Sequence, residues 1–206
     1  TVYLANATKD AGEVQAGSVV AVKILNPARV LPVEVKRFTR EFQALKRMNH
    51  PNVVQVHGAG VEKGYPWIAM EYVDGSELGA LIKRWNLTRP KDRFEKIEQL
   101  LRGLCDGLEY VHALGLIHRD IKPSNVLVSR DGRAKLTDFG VVKDPDSSGT
   151  QLTMAGRLVG TVAFMAPELI AAEEVDRRAD LYALGAVLYL MLTFKRPIEA
   201  SSVAGY

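Results

Sequence analysis

Two periodicities divide this chain. Residues 2 to 7 (VYLANA) and 19 to 24 (VVAVKI) are short β-branched runs around a glycine- and polar-rich stretch, which predicts a hairpin with a long turn. From 33 to 48, Val35, Phe38, Phe42, Leu45 and Met48 recur every three or four residues, the spacing of one buried helix face that stops before His50-Pro51. Two more strands are expected near 53 to 59 and 67 to 73. After Gly75 the pattern turns helical. Ser76 reads as the N-cap of a helix carrying Leu78, Leu81, Ile82 and Trp85, and Thr88 as the cap of a longer one. On that longer helix Phe94, Ile97, Leu101, Leu104, Leu108 and Val111 keep helical spacing until Gly115, a residue suited to a helix stop. Short strands at 126 to 128 and 134 to 136 flank the turn signal Asp131-Gly132. A Ser/Thr/Gly-rich loop follows from about 144 to 160, and a last apolar helix covers about 180 to 193. The reading is an α+β chain with a sheet-rich lobe at 1–74 and a mainly helical lobe at 75–206. A ligand cleft commonly forms at such a junction.

Composition narrows the classes. With 206 residues, 47% of them apolar, the chain has the material for a substantial core. Its formal charge of +3 arises from 27 basic and 24 acidic residues without long runs, so nucleic acid is not an implied partner. The single cysteine, Cys105, falls in an apolar helical pattern and reads as a packing residue of a reducing compartment. No apolar run approaches the roughly 18 to 20 residues of a membrane span. The abrupt TVYLANA and FKRPIEASSVAGY ends read as those of a fragment, with any targeting or membrane segment outside it.

The sharpest signal is LIHRDIKPSNVLV at 116 to 128, where His, Arg, Asp, Lys and Asn crowd between apolar flanks. Burying unpartnered charge costs several kcal/mol, so the cluster is either a chance surface loop or the wall of a cleft. Asp138-Phe139-Gly140 and Ala166-Pro167-Glu168 follow it in order, while VAVKIL places Lys23 in an apolar strand and Glu41 lies on the first helix. Each alone is weak, Lys23 and Glu41 being equally readable as ordinary surface charges. In combination they are specific.

This set resembles the eukaryotic-type protein kinase family, and MEYVDG, Lys122-Pro123 and GTVAFMAPE look most like its bacterial serine/threonine members. The resemblance implies a two-lobed kinase fold and transfer of the ATP γ-phosphoryl group to Ser or Thr hydroxyls of protein substrates. Such transfer needs positioning and charge neutralisation more than covalent help. By resemblance, Asp120 accepts the proton of the attacking hydroxyl, Lys122 neutralises the moving phosphoryl group, and Asn125 and Asp138 hold Mg²⁺, with Mn²⁺ as an alternative. Lys23 then holds the α- and β-phosphates and pairs with Glu41. Val2, Ala21, Met70 and Leu127 border adenine, the backbone of Glu71 and Val73 supplies hinge hydrogen bonds, and Glu77 reaches the ribose. Arg119 is the expected partner of a phosphate on Thr153 or, second, Thr150. His118 and Phe139 pack as core residues, with Leu45 and Val56 as their expected neighbours, and Asp180 anchors the backbone at His118-Arg119.

The family's Gly-rich loop and last helices have no counterpart in the sequence, which predicts exposed apolar faces around 94 to 111 and 180 to 193. The implied location is cytoplasmic, or the cytoplasmic face of a membrane if a tether lies outside the fragment. Two other functions stay open: an inert pseudokinase-like interaction module, which the intact Lys23, Glu41, Asp120, Asn125 and Asp138 argue against, and a small-molecule phosphotransferase, which would lack Ala-Pro-Glu.

Overall fold

The computed structural model describes residues 1–10, 14–25, 45–139 and 162–198. The chain divides into two compact units, Thr1–Asp74 and Gly75–Tyr206.

The first unit is an antiparallel sheet of order β1-β2-β4-β3, formed by β1 (Val2–Asn6), β2 (Val19–Ile24), β3 (Val56–Glu62) and β4 (Tyr65–Glu71). The expected hairpin of β1 and β2 is present. The other two strands are present too, with β3 displaced about three residues later and β4 about two earlier than the apolar runs suggest: Val53 and Val54 are buried ahead of β3, while the ladder runs through His57-Gly58-Ala59-Gly60. The cause is local. Lys63 and Gly64, both at positive φ, form the two-residue turn that a tight hairpin requires. Gly60 lies opposite Trp67, and a Cβ at Gly60 would come within 2.9 Å of the indole, so the glycines of β3 make room for that ring. Of the predicted 33 to 48 helix only the end falls among the described residues, where Leu45 and Met48 are buried.

The second unit joins β5 (Gly75–Glu77), β6 (Val126–Ser129) and β7 (Ala134–Leu136) into a small antiparallel sheet. Around it lie α1 (Leu78–Thr88), α2 (Arg93–Ala113), the short α3 (Pro167–Ile170) and α4 (Arg178–Thr193). Gly75 is required by close approach: a Cβ there would sit 2.0 Å from the Val128 carbonyl oxygen. Leu78, Leu81, Ile82 and Trp85 of α1 all enter one core with Leu104 and Leu108 of α2 and Val187 and Met191 of α4.

Four expectations fail here, each for a physical reason. Ser76 caps nothing, because its backbone pairs with Val128 in β5 and the helix starts after Glu77. Thr88 ends α1 instead of opening α2; its hydroxyl donates back to the Arg84 carbonyl at 2.9 Å. On α2 the buried stripe runs through Leu100 instead of Leu101, and Phe94 is 62% exposed beneath the guanidinium of Arg93. Cys105 is exposed, so it is not a packing residue. The stop at Gly115 holds, with φ at +73°. Outward apolar residues occur on α4 as expected (Leu181, Tyr182, Tyr189 and Leu192), but α2 offers only Phe94.

Candidate active site

The polar loop between α2 and β6 is not a surface accident. It folds into the second unit as a closed set of hydrogen bonds with Asp180 at its base. Asp180 is 1% exposed in the first turn of α4, where the helix macrodipole favours an anion. Its Oδ2 accepts the His118 backbone N–H at 2.9 Å and His112 Nε2–H at 2.8 Å, and Oδ1 accepts the Arg119 N–H at 2.9 Å. Arg119 has φ of +62°, a conformation that costs a non-glycine residue about 1 kcal/mol. The carboxylate holds the chain in that turn. This is the anchor expected of Asp180.

His118 is fully buried and stacks on Phe139 with ring centroids 4.5 Å apart. Its Nε2 lies 3.0 Å from the Thr137 carbonyl, which can only accept, and its Nδ1 receives the Asp120 N–H at 3.3 Å. One ring nitrogen must therefore donate and the other accept, which fixes the neutral imidazole. Burial likewise pushes the His118 pKa below its ordinary value, against the opposing pull of the Asp180 and Asp120 charges.

Above this base sits Asp120, its side chain 9% exposed. Lys122 Nζ and Asn125 Nδ2 both donate to its Oδ2 at 2.9 Å, and Asn125 Nδ2 donates also to the Asp120 carbonyl at 2.8 Å. Two acceptors on one amide nitrogen settle the orientation of the Asn125 side chain, so its Oδ1 points away from Asp120. Ser124 Oγ is 3.4 Å from that oxygen. The Thr137 N–H donates to the Asn125 carbonyl at 3.0 Å, placing Asp138, at φ +58°, one residue beyond the bond. Asn125 and Asp138 are hard oxygen donors of the kind Mg²⁺ or Mn²⁺ takes when substrate phosphates complete the shell, and in that sense they fit a divalent cation. Among the described residues no cluster of three or more His, Cys, Asp or Glu forms a self-sufficient metal cage.

The residues expected on the nucleotide side are described unit by unit. In the first, strand register puts Val2 opposite Lys23 and Ala21 opposite Met70, so all four share one face of the sheet. Val2 is exposed and Met70 buried. The Glu71 N–H donates to the Gln55 carbonyl at 2.8 Å, so that donor belongs to the sheet; Val73 is half-buried just beyond. In the second unit Glu77 and Leu127 are direct partners across β5 and β6. Glu41, Thr150 and Thr153 lie outside the described residues. The pattern of the sequence did not single out His112. The available signal was a histidine four residues after Leu108, on the edge of the buried stripe of α2.

Comparison with known proteins points to one family. The model of the protein kinase domain matches residues 7–205. A probable serine/threonine-protein kinase PknB of Bifidobacterium longum is 38% identical over 196 residues, covering 90% of this chain and 28% of that protein. A probable serine/threonine-protein kinase of Streptomyces coelicolor, SCO3848, is 37% identical over 197 residues, covering 93% and 29%. The chain thus spans less than a third of the length of these curated relatives. Among solved structures, a double mutant of the Mycobacterium tuberculosis PknI kinase domain superposes with a TM-score of 0.73 at 30% identity, covering 96% of this chain and 71% of that one.

Proposed function

Since the chain belongs to the protein kinase family, we propose that it is the catalytic part of a serine/threonine protein kinase, transferring the γ-phosphoryl group of ATP to protein hydroxyls. The carrying observation is the convergence of Lys122 and Asn125 on one oxygen of Asp120. Two donors fix the plane of that carboxylate, as a base that must meet a hydroxyl proton in one geometry requires. Lys122, already beside the carboxylate, is placed to neutralise charge on the phosphoryl group as it moves. Asn125 Oδ1 and Asp138 are the candidate holders of a divalent cation, Mg²⁺ or Mn²⁺, which when bound neutralises phosphate charge. Lys23, with Val2, Ala21 and Met70 on its sheet face, is the candidate phosphate cation beside an apolar adenine surface, and Glu41 its candidate partner. Glu77 and Leu127, paired across β5 and β6, are candidates for contacts to the ribose and to adenine, and Val73 for a hinge contact. Location at the cytoplasm, or at a membrane face through residues elsewhere in a longer protein, belongs to the same proposal.

Arg119 supports a regulatory reading. Among the described residues its Nε is buried without a hydrogen-bond partner, an arrangement that suits a guanidinium reserved for an anion such as phosphothreonine at 153 or 150.

The test is phosphate transfer from labelled ATP to a generic protein, comparing the full chain with Asp120→Asn. Loss of about 10³-fold is expected of a missing base. Equal labelling in both would overturn the catalytic assignment. Mapping the label on the unmutated chain tests the regulatory part, which fails if neither Thr150 nor Thr153 carries phosphate.

A further inference from the structure

The second unit holds a cleft that the phosphate-transfer residues do not use. It lies between α1, α2 and the β6–β7 hairpin, with a volume of about 310 Å³. That is the low end of the range for ligand clefts, about 300–1,000 Å³, and admits one bulky side chain while its neighbours lie outside. Buried apolar side chains, Trp85 and Leu100 among them, form its floor.

Its rim is cationic. Arg84 arrives from α1, Lys96 from α2 and Arg130 from the hairpin, three positions far apart in sequence that the fold gathers round one opening. Asp131 is the one acid in the lining. That carboxylate is occupied on its own hairpin by the Ser129 hydroxyl, which holds its pKa below the usual carboxylate value. Lys96 pairs with Asp92 at 2.8 Å, but both side chains are about half exposed, and such a pair exchanges readily for another anion. Arg84 and Arg130 are exposed at the surface.

We infer that this cleft docks an acidic, extended peptide segment of the protein substrate. A carboxylate-bearing strand meets the three cations while an apolar side chain between its acids enters over Trp85 and Leu100. A small anion satisfies the rim and leaves the floor unfilled; an apolar ligand does the reverse. Only the alternation of acid and apolar residue matches both. The inference rests on the kinase reading in one respect, that the peptide belongs to a substrate.

Binding is therefore measured without ATP, using a short fluorescein-labelled peptide of Glu, Asp and Leu that has no Ser, Thr or Tyr. The probes beside it are a Lys/Leu peptide of equal length and citrate. The full chain should bind the acidic peptide, more weakly as salt rises through about 0.15 M, and should ignore the basic one. Arg84→Glu with Arg130→Glu, both at surface positions that tolerate polar side chains, should weaken binding about tenfold while the melting temperature stays unchanged. With a protein substrate carrying the acidic segment, the same double variant should raise KM and leave kcat unaltered. Equal affinity of wild type and double variant overturns the proposal, as does equal affinity for the basic peptide or displacement by citrate at matching strength. Failure of phosphate transfer with peptide binding intact would instead strike the kinase reading alone.

Discussion

Two charged regions of the second unit obey opposite rules. In the loop at 118 to 125 the polar groups other than Ser124 are buried or half-buried, and bonds converge on two carboxylates, Asp180 and Asp120. At the cleft of Arg84, Lys96 and Arg130 the charges stand in water over an apolar floor, and the Lys96 pair on that rim is half exposed on both sides. Burial makes the loop a positioning device, since a buried donor left without its acceptor costs about 1–3 kcal/mol and alternatives are therefore suppressed. Exposure makes the rim adaptable, because solvent screens each pair and the partner is easily replaced. Fixed and exchangeable charges thus use the same residue types at different depths.

The contrast breaks most readily at Asp180. Asp180→Ala strands two backbone N–H groups and His112, so a stability loss of about 3 kcal/mol in urea unfolding is expected, together with loss of phosphate transfer. His112→Gln, which leaves both backbone bonds, should cost about 1 kcal/mol. Comparable losses in the two variants would mean that Asp180 is not an anchor of the backbone.

A smaller effect concerns pH. His118 is held neutral in the folded protein with its pKa lowered, whereas the unfolded chain protonates it at about 6.5. Below that pH the unfolded state binds more protons, so stability falls as pH falls through 6.5 and toward the depressed folded value. His118→Phe keeps a ring on Phe139 and removes this titration. Its melting temperature should be lower than wild type near pH 8, with a shallower decline between pH 7 and 5. Parallel declines would assign the acid sensitivity elsewhere.

The least change is expected at the rim. Lys96→Ala removes the exposed pair with Asp92 and should leave the melting temperature unchanged within error. A clear drop would show that the rim charges are held as rigidly as those of the loop.

Much of this was legible in sequence where a pattern is repeated or a residue type has few uses. The α1 face at Leu78, Leu81, Ile82 and Trp85 follows from helical spacing, β2 from a β-branched run, and β7 from its place beside the Asp131-Gly132 turn signal. Asp120, Lys122 and Asn125 were readable as a set because their offsets bring side chains together within one loop, whatever the rest of the fold does. Capping was not legible: Ser76 and Thr88 are the favoured residue types, but sheet pairing took the first and a bond to the preceding helical turn the second. The tertiary choice of which stripe of α2 faces inward left Leu101 at the edge of the core and decided against Phe94 and Cys105. In the first unit Trp67 over Gly60 set a register that apolar runs misplaced.

Spacing within a few residues was enough for most local elements and the polar groups of the loop, and several short motifs in order along the chain carried the family resemblance. The role of Asp180, some sixty residues beyond, came from the family resemblance and not from spacing, and neither revealed that His112 steadies Asp180. Folding of the second unit was also needed to gather Arg84, Lys96 and Arg130 round one cleft. Contacts between distant segments depend on how helices and strands pack, and packing is set by the whole core, with no local signature at either end of the contact.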